Sequence, residues 1–221
     1  MITLRLVGTE VSALSAAALS VPLRLILRHE RFDADVPHPT PIVLVHGFLG
    51  DPTNFLFLRS YLAARGMHNF ASFSYPPRLD YQRLARRLGR AIETVCLATG
   101  SRQVDIVGHS LGGLTARYLI EMEGTERVRR LVTIGSPYFA SPLWQHELCI
   151  FGESDPFIAA PHEVYGPHAA HVRNGGRVVI VPECGHWGLL YHQTVLDETT
   201  DFLLGGPAAL PVEPLALEAA S

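Results

Sequence analysis

The stretch "VDIVGHSLGG", residues 104–113, sets Ser110 between Gly108-His109 and Leu111-Gly112. A short β-branched run precedes it, and "LGGLTARYLIEM", with apolar residues at helical spacing, follows. A serine between strand and helix makes a good N-cap, its hydroxyl accepting a first-turn N–H. The G-x-S-x-G spacing implies more. Small residues on both sides permit a turn sharp enough to lift the hydroxyl out of the sheet as a nucleophile, with helix N–H groups behind it to receive an oxyanion. An activated serine needs a histidine base and an acid to orient that base. The two readings of Ser110 separate on whether those residues follow.

Both do, each after an apolar, strand-like run. "FGESDPFIAA" (151–160) offers Asp155 and Glu153. Asp155 is preferred because apolar residues resume behind it; the alternative role of its Asp-Pro pair is a turn cap. "PECGHWGLL" (182–190) places His186 just ahead of a C-terminal helical run. Of the 11 histidines, only His186 ends a strand after Asp155. His46 and His109 belong to motifs built on backbone turns, His146 precedes the acid, and His192 lies within the final helical run. His162, His168 and His171 share a helical stretch but match no metal-ligand spacing, so no metal is expected. In "HGFLGD" (46–51) the chain turns at Gly47, so the N–H of Phe48 can point back across the sheet. With the N–H of Leu111 it supplies two donors for an oxyanion hole; an ordinary strand-to-loop turn is the plainer reading of His-Gly.

These loops need a frame. From Pro41 the chain alternates short apolar runs ("PIVLVHG", "FASFSY", "VDIVG", "RLVTIGS", "ELCIFG", "RVVIVPE") with amphipathic ones at 54–65, 80–98, 111–122 and 188–204, and a further helix is expected at 161–172. That alternation predicts an α/β fold, a mostly parallel doubly wound sheet flanked by helices, with chemistry on loops beyond the C-terminal strand ends. With 221 residues, 48% apolar and 18% charged, one domain with a sizeable core is expected. The formal charge of −3 offers no field for a polyanion, so no nucleic-acid partner is expected; no lysine occurs. Three cysteines without metal spacing read as free thiols. Residues 1–40 read as an N-terminal helical segment, 41–204 as the catalytic domain and 205–221 as a loosely ordered tail. Pro22 and Arg24 interrupt the apolar N-terminal run before it reaches spanning length, which predicts a helix packed on the domain and keeps peripheral membrane contact open. A cytoplasmic location is the expectation, with a peripheral or secreted one kept open.

Together "HGFLG", "GHSLGG", "GESDPFI" and "GHWGLL" resemble the α/β-hydrolase superfamily, in its branch of small lipases and carboxylesterases, from about Pro41 to Leu204. "GSPYFAS" (135–141) is similar to the Gly-Thr-Pro-His segment of bacterial lipases, with Ser136 and Tyr138 as departures. The resemblance implies a triad of Ser110, His186 and Asp155, acyl transfer through a covalent intermediate, and no metal or organic cofactor. Only residues 135–146 separate two strand candidates, which leaves no room for a large cap. The loops carry Leu49, Tyr138, Phe139 and Trp187 as candidate substrate contacts, with Tyr75, Trp144, Phe157 and Leu189 close by in sequence. An open apolar cleft suits a small-molecule or lipid ester of short to medium acyl chain. A thioesterase, polyesterase or amidase on the same scaffold is the nearer alternative, and a non-catalytic binding protein the farther one.

Overall fold

The structure, a computed structural model, describes Glu10, residues 32–77, 79–137, Trp144, and residues 146–160 and 176–205. Each of the six β-rich stretches forms a strand: β1 (Ile42–Val45), β2 (Phe70–Phe73), β3 (Val104–His109), β4 (Val128–Ile134), β5 (Glu147–Gly152) and β6 (Arg177–Val181). They make one sheet in the order β2-β1-β3-β4-β5-β6, with every pairing parallel. The chain steps outward from β1 to β2 and then returns to the other side of β1 as β3, so the order reverses at β1/β3. Such a reversal opens a crevice beyond the C-terminal strand ends, where neighbouring connections diverge to opposite faces.

Among the described residues, four helices cover the sheet: α1 (Leu56–Ala63), α2 (Tyr81–Thr99), α3 (Leu111–Glu123) and α4 (Gln193–Leu204). Strand alternation divides the core between the two faces. Ile42 and Leu44 pack with Leu58, Leu62, Val195 and Leu196 of α1 and α4. Val43 and Val45 pack with Leu84, Leu88, Leu114 and Leu119 of α2 and α3. Helix α2 shows why the sequence pattern works. Asp80 caps its start by accepting from the Arg83 N–H at 3.0 Å. Leu84, Ala85, Leu88 and Ile92 form its buried stripe, and Gly100 at φ 70° ends it.

Two helical runs are shorter than the periodicity predicts. Residues Pro52–Phe55 form a 3-10 turn, with the Asp51 side chain accepting from the Thr53 N–H at 2.9 Å, before α1 begins. The run 188–204 breaks at His192, which is extended (φ −77°, ψ 132°) and caps α4 by accepting the Thr194 N–H on Nδ1 at 3.2 Å. A capping side chain competes with helix continuation, so Gly188–Tyr191 closes as a separate 3-10 turn. The helix expected at 161–172, the tail beyond Gly205 and most of the N-terminal segment lie outside the described residues. Among the described residues, no helix is long and apolar enough to cross a membrane.

Candidate active site

Strand β3 runs straight into α3, and the junction is Ser110 at φ 52°, ψ −122°. Left-handed φ costs a non-glycine residue on the order of 1–3 kcal/mol, so something must enforce it. The surrounding packing does. A Cβ at Gly108 would lie 2.6 Å from the Gly113 Cα, and one at Gly112 only 2.1 Å from the Val45 carbonyl oxygen. Helix α3 therefore sits against β3 and β1 at a distance only glycine allows, and the chain has no space for a gentler turn. The Ser110 N–H donates to the Ile134 carbonyl at 2.9 Å, pinning the elbow to the end of β4. The Ser110 side chain makes no capping hydrogen bond, which removes the plainer reading of this serine.

His186 lies beyond β6, and its Nδ1 donates to Asp155 Oδ2 at 2.7 Å. The other oxygen of Asp155 accepts the N–H groups of Phe157 and Ile158 at 2.8 and 3.0 Å. The turn-cap role of Asp155 and its pairing with a histidine thus coexist, one on each oxygen. Glu153 is occupied elsewhere: its Oε2 accepts the Glu183 N–H at 3.1 Å. Beneath the pair lies Gly135 (φ 53°), where a Cβ would stand 3.2 Å from His186 Nδ1 and 3.4 Å from Asp155 Oδ2. The His109 ring lies 4.7 Å from that of His186. Burial, with the nearby His186 charge second, pushes the His109 pKa down to about 3.

A six-stranded parallel sheet with helices on both faces is found in known proteins as well. A model of the α/β hydrolase fold matches residues 40–148. A carboxylesterase of Bacillus subtilis superposes with a TM-score of 0.61 at 15% identity, covering 90% of this chain and 100% of that one. Lipase B of Aspergillus fumigatus gives 0.60 at 17% identity, over 76% of this chain and 53% of that one.

The chain has the α/β-hydrolase fold.

In sequence, a triacylglycerol lipase of Pseudarthrobacter phenanthrenivorans is 31% identical over 114 residues, which is 46% of this chain and 34% of that protein. The chain spans about a third of the length of the curated relatives it matches. Among the described residues, no large cap stands over the sheet.

The remaining expected residues fall into three groups. Leu111 opens α3, where an N–H has no carbonyl one turn earlier to bond, and Phe48 follows Gly47 beside the elbow. A Cβ at Gly47 would lie 2.9 Å from the Ser110 Cβ, so the two loops touch. Leu49 (φ 57°) stands 72% exposed on the turn that the Gly50 N–H closes onto the Gly47 carbonyl at 3.0 Å. Trp187 lies with its ring 5.6 Å from His186. Tyr138 and Phe139 lie outside the described residues. Three neighbours expected by sequence are placed elsewhere or used differently. Tyr75 is buried and stacks on His46 at 4.3 Å, and Leu189 is core. Trp144 precedes β5 and lines a cavity of about 340 Å3 at the opposite end of the sheet.

The sequence reading missed Gly135, whose role depends on what folds over it, and it did not distinguish Phe157. The Phe157 ring is 70% exposed and meets His186 edge-on at 5.3 Å. All three cysteines are free, and burial, ahead of the charges of Glu10 and Asp155, pushes Cys184 beside the histidine loop up to about 12. Among the described residues, no group of three His, Cys, Asp or Glu side chains could hold a metal ion. The arrangement presents a hydroxyl, an imidazole held by a carboxylate, and helix N–H groups along one strand-end crevice. Those groups suit proton removal from the hydroxyl and attack on a carbonyl.

Proposed function

We propose that this hydrolase cleaves carboxylic esters through an acyl-enzyme formed on Ser110. The observation that carries the reading is the enforced φ of 52° at Ser110, whose hydroxyl caps nothing although it stands at a helix start. His186 takes the hydroxyl proton as Ser110 attacks the ester carbonyl. The oxyanion receives the N–H groups of Phe48 and Leu111, and the proton passes to the leaving alkoxide. Water, deprotonated by the same imidazole, then releases the acid. Asp155 holds Nδ1 protonated, which leaves Nε2 to accept, and stabilises the imidazolium. The chemistry needs no cofactor.

The exposed Leu49 and Phe157, with the half-buried Trp187, give the crevice an apolar rim. Each buried CH₂ contributes about 0.8 kcal/mol only while there is wall to cover it, so short and medium acyl chains are the proposed substrates. Tyr138 and Phe139 are the proposed continuation of that wall. Peripheral contact with a lipid surface through the N-terminal segment belongs to the same proposal.

Hydrolysis of p-nitrophenyl esters of increasing chain length, with Ser110→Ala as control, tests the reading. Turnover that saturates ordinarily, without a jump at the substrate's solubility limit, is expected. Activity confined to thioesters or amides would move the assignment to the nearer alternative. No turnover of any acyl substrate would leave a binding protein.

A further inference from the structure

The peptide group that joins His186 to Trp187 is held at both ends by side chains from distant parts of the chain. Its carbonyl lies 3.3 Å from His109 Nε2. Its N–H donates to Glu10 Oε2 at 3.0 Å. The second Glu10 oxygen accepts the next N–H, that of Gly188, at 2.8 Å. A carbonyl can only accept, so His109 carries its proton on Nε2. The seat for the carboxylate is shaped to it. A Cβ at Gly185 would stand 2.7 Å from Glu10 Cδ, and one at Gly188 would stand 2.7 Å from Glu10 Oε1. Two glycines flanking the histidine loop thus leave the space that Glu10 fills.

We propose that Glu10 is a positioning residue for His186. This rests on the reading of His186 as the base. A carboxylate that accepts two successive N–H groups makes charge-assisted bonds with fixed geometry. With His109 on the carbonyl side, it fixes the plane of the 186–187 peptide and so the direction of the bond from backbone to imidazole. Asp155 holds the ring itself, at Nδ1. Without Glu10 the ring could pivot about that bond and carry Nε2 away from the Ser110 hydroxyl. Displacements of about 1 Å at a reacting group cost up to roughly 100-fold in rate.

Full-length Glu10→Ala and Glu10→Gln are compared with the parent by amide hydrogen exchange at residues 187 and 188, by kcat and KM on a p-nitrophenyl ester, and by Tm. Glu10→Ala should lose protection at both amides and about tenfold in kcat, with KM little changed. Glu10→Gln should recover part of that loss, since its one amide oxygen can still accept one N–H. The loss in Glu10→Ala combined with His109→Leu should fall well short of the product of the single losses, because both act on one peptide group. Unchanged protection in Glu10→Ala, or lost protection with kcat intact, would overturn the positioning role and leave ester hydrolysis standing. A parent that turns over no ester would overturn the ester reading, while the exchange arm would still report whether Glu10 holds the loop.

Discussion

The two ends of the sheet each bury an aspartate against a histidine. At the C-terminal end Asp155 and His186 are 2.7 Å apart, with side chains 0% and 6% exposed. At the N-terminal end Asp105 and His38 are 3.3 Å apart, with side chains again 0% and 6% exposed. What differs is the third partner. Arg129 donates to Asp105 from Nε at 2.9 Å and also from Nη2, so that carboxylate is neutralised on the spot. The same Nη2 lies 2.7 Å from His38 Nε2, and His38 Nδ1 is buried without a partner. The imidazole nitrogen facing Asp105 is therefore crowded by the Arg129 guanidinium. At Asp155 the partners are two backbone N–H groups and an imidazole proton. In the proposed reaction His186 uses its other nitrogen, Nε2, to take the Ser110 proton. An Asp–His contact by itself therefore carries no chemistry; the ring nitrogen left over does.

The comparison can be broken most directly at the nucleophile. Ser110→Ala and His186→Ala should each lower kcat by at least about 10⁴-fold on p-nitrophenyl esters while the fold persists. Ser110→Gly should be equally inactive yet more stable by about 1 kcal/mol, read as a raised Tm, because glycine tolerates the φ that serine is forced into.

The two aspartates give the next contrast. Asp155→Asn should lower kcat by roughly 10²–10⁴-fold with a modest change in Tm, since it removes orientation of the base. Asp105→Asn should leave kcat near the parent value but cost about 3 kcal/mol in denaturant unfolding, because it strands the Arg129 charge. Equal kinetic losses in the two variants would erase the distinction. Glu153→Gln should leave kcat within about twofold, its carboxylate being turned to the Glu183 N–H.

Acid should find the two ends unequal through His109. Its folded pKa of about 3 lies below the ordinary 6.5, so the unfolded chain binds the extra proton first. The stability it contributes is complete above pH 6.5 and is lost as pH falls toward 3. Between pH 6.5 and 5 the loss is on the order of 2 kcal/mol. Urea unfolding at pH 7 and 5 should show that slope, and His109→Gln should flatten it.

The smallest effect concerns the rim. Trp187→Ala should raise KM for an octanoate ester more than for acetate, by about threefold or less. Equal losses for both would place the acyl wall elsewhere.

Six strands, their alternation with helices and the sharp turn at Ser110 are legible in the sequence because each depends on neighbours within a few residues. Periodicity marks a buried face, and small residues at fixed offsets mark a turn that only they can make. One string, "VDIVGHSLGG", contains both Asp105 and Ser110, and nothing local separates the structural aspartate from the residues of the crevice. Strand direction does: Asp105 enters β3 at the end where Arg129 lies, and Ser110 leaves it at the other. The break at His192 also escapes periodicity, since a cap is decided by which hydrogen bond wins and not by hydrophobic pattern. Trp144, read as part of the site from its place between strands, faces the opposite end because it precedes β5 instead of following β4. Gly135 under the histidine–aspartate pair, His109 on the His186 carbonyl and Glu10 across 177 residues of chain are contacts of the folded molecule alone. No spacing rule encodes them, because the distance along the chain carries no information about which side chain fills a space until the chain has closed around it.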